Sequence, residues 1–331
     1  MLYKIKKFIP ANFKRKLKDL GIKIIFLFLN IVEPLTGKFV SFSTRPIRAS
    51  GISILSVCPE ENYSEYTIVM QGPIVTKYRF TLETLLIYKK LFPGAFIVLS
   101  TWEGGDTYTI EAARGAGLEV IINKKPIPGL FNVNMQTVSA MAGLRLAAKL
   151  NKKYALKVRA DQRIYNSESL TFFSNLLKNF PLTVSGSKLK GRIIATGAYN
   201  FKIKQKIYNI YESSPIFGYL EDVMLFFGAD LISNNPPPLE FLKKYYPNSP
   251  FMAEGYIFTE FLKKIGHQPE NTPEDYLRCL ARYCILIDAM TLGWYWFKYK
   301  RFIECQNLGL TYEHNGHLAF TDWLNLYNYY K

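Results

Sequence analysis

The sequence predicts an α/β protein built on an open, mainly parallel twisted sheet with flanking helices. Between Tyr66 and Asp161, short apolar runs typical of buried strands alternate with longer stretches at helical spacing. Turn residues rich in glycine and proline separate the two kinds of segment. The stretches between the strands are long enough for right-handed crossovers, which join parallel strands.

Four buried strands and three intervening helices are predicted in this region. The strands are "YTIVMQGPIV" from Tyr66, "AFIVLSTW" from Ala95, "LEVIINKK" from Leu118 and "YALKVRAD" from Tyr154. The helices run from Thr76 to Leu91, from Thr107 to Arg114 and from Asn132 to Leu150. In parallel sheets ligands bind beyond the carboxyl ends of the strands, so we expect the site there.

The second half of the chain is less regular. "GRIIATGAYN" predicts a strand and a loop, "YLEDVMLFFGAD" a turn and a helix, and "FMAEGYIFTEFLKK" another helix. "NNPPP" is a strong break between them. Residues 275 to 300 are apolar and aromatic enough either to pack on the sheet or to extend a membrane-facing side.

Length and composition indicate a globular protein of one or two domains. The chain has 331 residues, of which 49% are hydrophobic and 21% are charged. Its four cysteines form no paired C-x-x-C motifs, which favours a reducing compartment. We expect Cys279 and Cys284 to be buried as small hydrophobic residues.

The amino-terminal arm is strongly basic. Residues 1 to 23 carry eight Lys or Arg residues against Asp19 alone, which accounts for +7 of the net charge of +16. The apolar stretch from Ile22 to Val32 is shorter than the ~20 residues of a spanning helix. The pattern predicts a helix that lies on an anionic membrane surface, with residues 1–33 as the contact. A basic helix that packs on the rest of the protein is the alternative.

Several function classes are excluded or disfavoured. The first strand is followed by Gln71-Gly72-Pro73, which matches neither a P-loop nor a dinucleotide-binding glycine motif. No nucleophile elbow G-x-S-x-G is present, and three histidines leave little material for histidine-based hydrolysis. No zinc-finger spacing, RNP-like motif or basic zipper accompanies the net charge, so no nucleic-acid partner is predicted.

One carboxylate between cations stands where the fourth strand leaves the core, in "KVRADQRIYNSE". A diphosphate substrate needs its charge neutralised, either by a divalent ion held on carboxylate oxygens or by Arg and Lys directly. Asp161 could hold the ion, and Arg159, Arg163 and Arg145 could meet the phosphates. Alternatively, Arg159 and Arg163 form a structural ion-pair cluster with Asp161.

Four sequence blocks, in this order and spacing, carry a family resemblance. They are "YTIVMQGPIV", "YKKLFPGAFIVLSTWEG", "NVNMQTVSAMAGL" and "LKVRADQRIYN", and "EDVMLFFGAD" and "AEGYIFTEFL" follow them. The chain resembles the WavE lipopolysaccharide synthesis family of bacterial glycosyltransferase-like proteins. The resemblance implies a GT-A-like fold and transfer of a sugar from a nucleotide-sugar donor to a glycan or glycolipid acceptor, of lipopolysaccharide or capsule type.

The resemblance also implies positions for the donor and for a metal. Gln71 and Gly72 end the first strand, where a GT-A-like fold receives the nucleotide, and Trp102 or Glu103 ends the second. The helix before the fourth strand opens with Asn132, Asn134 and Gln136, whose side chains either reach the donor or cap the helix. Many GT-A enzymes hold Mg²⁺ or Mn²⁺ on a D-x-D motif, but this chain reads Arg159-Ala160-Asp161, with Asp161 as the one candidate ligand.

An inverting transfer needs a general base that takes the proton of the acceptor hydroxyl. Asp222, Glu221 and Glu254 are candidates, and Asp222 is favoured because burial among apolar residues raises a carboxyl pKa. An N-cap or an ion-pair partner is the alternative role for such an acid.

The sequence thus predicts a membrane-associating arm over residues 1–34 and a catalytic domain over residues 60–331. Its nucleotide-binding half is residues 60–166, and its acceptor-side half is residues 167–331. The expected location is cytoplasmic, peripheral on the inner face of the bacterial inner membrane. Two rival functions are open: a sugar nucleotidyltransferase, which should carry a glycine-rich loop, and a non-catalytic membrane scaffold.

Overall fold

The computed structural model describes residues 11–37, 44–53, 62–184, 186–197, 207–208, 210, 215–232, 253–298 and 318–330. The chain divides into two units, Met1–Arg45 and Pro46–Lys331. The predicted fold class is confirmed, since the second unit is a mixed α/β structure with a mainly parallel sheet of seven strands and flanking helices. The "NNPPP" segment lies outside the described residues.

The described part of the first unit is one helix, α1, over Ala11–Thr36. Its large apolar side chains from Leu20 onward are exposed, namely Leu20, Ile24, Ile25, Phe26, Leu27, Phe28, Ile31 and Leu35. Among the residues with described positions, no helix combines the length and the apolar character that crossing a membrane requires.

The second unit contains nine strands and eight α-helices within its described residues. The strands are β1 (Tyr66–Gln71), β2 (Phe96–Trp102), β3 (Glu119–Asn123), β4 (Tyr154–Arg159), β5 (Gln162–Arg163), β6 (Ile193–Thr196), β7 (Ile216–Tyr219), β8 (Cys284–Ile287) and β9 (Tyr295–Trp296). The helices are α2 (Phe80–Leu91), α3 (Thr107–Gly115), α4 (Val133–Lys149), α5 (Ser169–Asn179), α6 (Leu220–Phe227), α7 (Ala253–Lys264), α8 (Pro273–Tyr283) and α9 (Phe320–Tyr330).

The order of the strands shows where the winding direction of the sheet changes. The main sheet runs β3-β2-β1-β4-β7-β6-β8, and only β7 is antiparallel to its neighbours. After β3 the chain returns to the other side of β1, which creates a switch in winding direction beside β1. Gln71 pairs with both Ser100 and Arg159, so the ends of β2, β1 and β4 lie at one level.

The four predicted strands and three predicted helices of the first half are present, with ends shifted by a few residues. The first helix shows the largest shift, because a 3₁₀ turn over Lys77–Arg79 precedes α2. In the second half, the strand at Ile193–Thr196 and the helices α6 and α7 are as predicted. Residues 275 to 300 supply strands β8 and β9, so this segment joins the sheets as well as packing on them.

Close approach of α4 to the sheet depends on Gly143. A Cβ atom at this position would lie 2.5 Å from Val69 Cγ1 and 3.2 Å from Val69 Cγ2. Val69 is fully buried in the middle of β1, and close-packed interiors leave such a side chain little room to move. The glycine therefore sets the distance between α4 and the strand that ends at Gln71.

We expect Gly143→Ala to destabilise the protein by about 1–3 kcal/mol, because the added methyl group overpacks the contact with Val69. This expected loss of stability is opposite in sign to the gain of ~1 kcal/mol that the higher helix propensity of alanine would give. Denaturant-induced unfolding of the purified chain measures the difference. Gly115→Ala is the matched control, since a Cβ on Gly115 at the end of α3 meets no atom within 4 Å. Equal stability of the two variants would contradict the packing argument.

Candidate active site

A cleft of about 760 Å³ opens at the carboxyl ends of the parallel strands. Its wall comes from the segments that follow β1, β2 and β3, from the end of β4, and from the start of α4. The first turn of α7 and the segment around β9 complete it. This is the edge at which ligand binding is expected in an open parallel sheet.

The residues predicted from the sequence that line this cleft include Gln71, Gly72, Trp102, Arg159 and Glu254. The Gln71 side chain is buried, and its Oε1 accepts a hydrogen bond of 2.7 Å from Ser139 Oγ on α4. Gly72 has a φ of +113°, which favours glycine over any side chain. The turn after β1 thus brings its backbone to the cleft in a conformation that other residues rarely adopt.

Asp161 stands behind the cleft and orients two residues of its wall. Its Oδ1 accepts from Arg159 Nε at 2.9 Å. Its Oδ2 accepts from Arg159 Nη2 at 3.1 Å and from Trp296 Nε1 at 3.0 Å. Burial raises the pKa of the Asp161 carboxyl, but the hydrogen bonds and charge of Arg159 and the Trp296 indole outweigh that effect. The net pKa therefore lies below its usual value, and the carboxylate is ionised.

The pairing of β5 with β9 brings Trp296 to this place. Gln162 lies opposite Trp296 in that two-stranded sheet, and the backbone of Phe297 donates to the Asp161 carbonyl at 2.9 Å. The Arg159 guanidinium lies 5.6 Å from the centre of the Trp296 ring. Charge and ring together hold Arg159 at the cleft.

A divalent ion on Asp161 does not fit these residues. The Arg159 guanidinium contacts both carboxylate oxygens at once and so occupies the position that a cation would take. The Arg159 and Asp161 side chains are only 19% and 12% exposed, which leaves little room for the waters that Mg²⁺ retains. The alternative of a structural ion pair therefore describes Arg159 and Asp161 correctly.

Arg163 takes no part in that pair and does not line the cleft. It is 1% exposed, and its guanidinium donates to the carbonyls of Pro46, Ile47 and Phe80 and to Thr84 Oγ1. The predicted ion-pair cluster of Asp161 with two arginines therefore does not include Arg163. Its N–H groups instead connect β5 to α2 and to the segment at Pro46 and Ile47.

Asn134 and Arg145 are also outside the cleft wall. Asn134 exchanges hydrogen bonds with the backbone of Ile232 and donates to the Ile127 carbonyl, so its side chain connects two loops to the start of α4. Arg145 is exposed, nine residues after the cleft residue Gln136, or about 14 Å along the helix axis. The structure does not bring either side chain to the site.

The two carboxylates predicted as general bases occupy different places. Asp222 is fully buried, and it accepts hydrogen bonds from the backbone N–H groups of Lys190 and Gly191 at 3.0 and 2.9 Å. The predicted rise in its pKa is confirmed, since burial raises it to about 6. Asp222 does not line the cleft, whereas Glu254, in the first turn of α7, does and is 8% exposed.

The cleft also contains groups that sequence reasoning did not select for the site. Two further cations line it beside the predicted Arg159, namely Lys125 just after β3 and Lys298 just after β9. The hydroxyl of Thr101, at the end of β2, is buried and has no hydrogen-bond partner among the described residues. An unpaired buried hydroxyl in a cleft wall is a group that a bound ligand can satisfy.

Two residues in the cleft wall have an unusual backbone conformation. Phe131 and Asn132, immediately before α4, both have left-handed φ angles of 52° and 62°. Such angles are costly for an aromatic residue and occur mainly where function or packing requires them. The result is that Phe131 lines the cleft with its side chain 60% exposed.

Some of the missed residues had a signal in the sequence and others did not. Lys125 ends the predicted strand "LEVIINKK" and lies two residues beyond the observed β3, so the rule about carboxyl ends would have selected it. Trp296 and Lys298 reach the cleft through a strand pair separated by more than 130 residues, and nothing local marks that pairing. The unusual φ of Phe131 likewise has no counterpart in its residue type.

Comparison with known proteins gives one family. A family model described as WavE lipopolysaccharide synthesis matches residues 66–330. No curated protein sequence matches the chain.

Two enzymes are among the solved structures to which the chain is similar. A 4-diphosphocytidyl-2C-methyl-D-erythritol synthase from Anaerococcus prevotii shares 13% identity at a TM-score of 0.36, over 64% of this chain and 94% of that chain. A cytidylyltransferase from Leptospira borgpetersenii shares 12% identity at a TM-score of 0.32, over 66% and 85%. Neither similarity bears on function at this level.

Proposed function

The chain belongs to the WavE lipopolysaccharide synthesis family, and from that premise we propose that it is a nucleotide-sugar-dependent glycosyltransferase. Its acceptor is a bacterial surface glycan of lipopolysaccharide or capsule type. The observation that carries the proposal is the composition of the cleft, where three cations and three carboxylates line the carboxyl ends of the strands, and of these carboxylates Glu254 is buried while Glu103 and Asp106 lie in the turn after β2.

The three cations suit a donor diphosphate. Arg159, Lys125 and Lys298 come from three separate segments and line the same cleft, so they can meet phosphate oxygens from several directions. Asp161 fixes the Arg159 guanidinium through two hydrogen bonds before any donor arrives. Preorganised cations bind phosphate without the ordering cost of free side chains. We therefore assign charge neutralisation at this position to side chains.

The nucleoside and the sugar have matching surfaces in the same cleft. Gln71 and Gly72 end β1 and Trp102 ends β2, where the base and ribose are expected. Phe131 offers an exposed ring for stacking, and the Thr101 hydroxyl offers a hydrogen bond to a ligand oxygen.

Glu254 is the candidate general base of the transfer. Its carboxylate would take the proton of the acceptor hydroxyl as the acceptor oxygen bonds to the anomeric carbon. The bond from that carbon to the diphosphate oxygen breaks, and the nucleoside diphosphate leaves with the electron pair. The three cations stabilise the charge that develops on the leaving group. Asp222, the base favoured by sequence, is held by two backbone donors away from the cleft.

Donor binding tests the site directly. We expect one of UDP, GDP, CDP or CMP, or its sugar, to raise the unfolding temperature of the purified chain, in EDTA as well as with Mn²⁺. A ligand at about 100 times its Kd adds ~2.7 kcal/mol to stability. Lys298→Gln should weaken binding by about tenfold or more, since a charged hydrogen bond is lost. The matched control is Lys263→Gln on α7, where the lysine pairs with Glu260 at the surface.

Two outcomes would count against this assignment. A shift that requires Mn²⁺ would place a metal in the cleft, and no shift with any nucleotide would favour the scaffold. Release of pyrophosphate from a nucleoside triphosphate and a sugar 1-phosphate would instead identify a sugar nucleotidyltransferase.

The base assignment has its own test. We expect Glu254→Gln to lower kcat by about 10²- to 10⁴-fold while the donor Kd stays unchanged, because the amide cannot accept the acceptor proton. Asp222→Asn is the comparison, and it should retain activity as long as the variant is folded. Product formation from the donor identified by binding measures both. Loss of activity in Asp222→Asn with full activity in Glu254→Gln would reverse the two roles.

For the first unit we propose peripheral attachment to the cytoplasmic face of the inner membrane through α1. The helix exposes eight large apolar side chains, and its sequence is rich in Lys and Arg. Insertion of apolar residues combined with attraction to anionic headgroups is the usual basis of such attachment.

Sedimentation with lipid vesicles tests this attachment. The full chain should bind vesicles that contain phosphatidylglycerol, and salt should weaken the binding. The double variant Leu27→Ser, Phe28→Ser should bind at least about tenfold less, since two apolar side chains, 65% and 63% exposed, are lost. Leu150→Ser, in the second unit and 48% exposed, is the control. Equal binding by the double variant and the wild type would refute the role of α1.

A further inference from the structure

Three side chains of different chemistry converge between the end of α7 and helix α8. His267 lies in the loop after α7, and Asp275 and Cys279 are one turn apart on the same face of α8. His267 Nε2 is 3.1 Å from Asp275 Oδ2 and 3.2 Å from Cys279 Sγ, and that sulfur is 3.9 Å from the same oxygen. None of the three lines the cleft.

These distances match the spacing of ligands around a zinc ion. His267 Nε2, Asp275 Oδ2 and Cys279 Sγ form a triangle, and the point equidistant from these three atoms lies about 2.0 Å from each of them. That distance is close to the Zn–N and Zn–O bond lengths and somewhat shorter than the Zn–S bond length. A small displacement from the plane of the three atoms, as in tetrahedral coordination, lengthens all three distances. Few hydrogen-bond networks bring a nitrogen, an oxygen and a sulfur to one point.

A catalytic triad and a simple hydrogen-bond network both fit these residues less well than a metal site does. In a Cys-His-Asp triad the acid and the nucleophile contact different nitrogens of the imidazole. Here both Asp275 and Cys279 face Nε2, so no relay through the ring is possible. One ring nitrogen also carries either a proton or a lone pair, and it cannot hydrogen-bond well to two partners at once.

The surrounding residues hold the carboxylate as the outer contacts of a metal site do. Tyr208 Oη donates to Asp275 Oδ2 at 2.5 Å, and the backbone N–H of Glu270 donates to the same oxygen at 3.1 Å. Arg278 Nη2 donates to the other oxygen, Oδ1, at 2.8 Å. Such outer hydrogen bonds orient ligating carboxylates and contribute to metal affinity.

We propose that His267, Asp275 and Cys279 form a binding site for Zn²⁺, independent of the transferase cleft. Imidazole and thiolate select zinc over Mg²⁺ or Mn²⁺, which prefer oxygen ligands. Binding replaces the thiol proton of Cys279 with the ion and releases the proton to solvent, and water completes the tetrahedron.

The ion would fasten the loop after α7 to α8. That helix packs on α9 and is followed directly by β8, the last strand of the main sheet. Tyr208 adds a third segment, because it reaches the site from the chain between β6 and β7. The role we assign is therefore structural, and it does not rest on the proposed transferase activity.

Metal content of the full chain tests the site. Protein is freed of metal by a chelator and then dialysed against a low, buffered concentration of free Zn²⁺. It should retain one equivalent of zinc per chain, and the bound zinc should raise its unfolding temperature. Cobalt substitution should give the thiolate-to-cobalt charge-transfer band expected of one cysteine ligand. X-ray absorption at the zinc edge of the wild type should show one sulfur and otherwise nitrogen or oxygen neighbours, a readout that needs no variant.

Variants locate the ion. His267→Gln and Cys279→Ser should each lower zinc affinity at least about 100-fold, and Tyr208→Phe about tenfold. Cys284→Ser is the matched control, because Cys284 is equally buried only five residues further on but is not part of the group. It should keep both the stoichiometry and the charge-transfer band.

Three results would overturn the proposal. They are absence of retained zinc, a zinc-edge spectrum with no sulfur neighbour, and loss of the charge-transfer band in Cys284→Ser but not in Cys279→Ser. Donor binding that persists in the zinc-free protein would leave the proposed function standing whatever the fate of this site.

Discussion

The bidentate contact between Arg159 and Asp161 is the interaction on which the cleft depends. It lies where β4 leaves the sheet, and the same carboxylate accepts a hydrogen bond from Trp296, more than 130 residues further along the chain. One buried charge thus connects the end of a central strand to the β5–β9 pair that carries Lys298 into the wall.

Removing the Asp161 carboxylate would leave the largely buried Arg159 guanidinium without this partner, which costs far more than a surface ion pair contributes. In the proposed function, the Arg159 guanidinium supplies the cationic charge at this position, where many GT-A enzymes carry the first aspartate of D-x-D.

The first half of the fold was predictable because its signals are local and repeated. Each of β1 to β4 is a run of apolar residues that ends in a polar group, and each intervening helix has its own stop. The strands β7 and β9 are only four and two residues long, and β7 runs antiparallel to its neighbours, so their identity depends on tertiary pairing.

The residues of the site likewise fall into a group that local sequence predicts and a group that it does not. Gln71, Gly72, Trp102 and Arg159 follow from strand ends, whereas Trp296, Lys298 and Phe131 depend on contacts and backbone angles that no sequence period encodes.

Asp222 shows why a shifted pKa is weaker evidence than position. Sequence context correctly indicated burial and a raised pKa, and both effects are present. Its two oxygens nevertheless accept from the backbone of Lys190 and Gly191, so the carboxylate caps a turn instead of facing a substrate. Glu254 has no such indication in the sequence beyond its place at the start of a helix, yet that helix directs it to the cleft. A general base must first be within reach of the proton that it removes, and only then does its pKa matter.

The two halves of the second unit use buried charge for different purposes. At the strand ends, a carboxylate orients a cation toward a space of about 760 Å³ that is large enough for a nucleotide sugar. Around α8, a carboxylate is instead enclosed by Tyr208, Glu270 and Arg278, with an imidazole and a thiol at its open side. Oxygen-rich sites suit Mg²⁺ and Mn²⁺, and mixed nitrogen and sulfur sites suit Zn²⁺. Under the two proposals together, a chelator that removes zinc should change the stability of this protein without changing the donor affinity of its cleft, because charge neutralisation there is assigned to Arg159, Lys125 and Lys298.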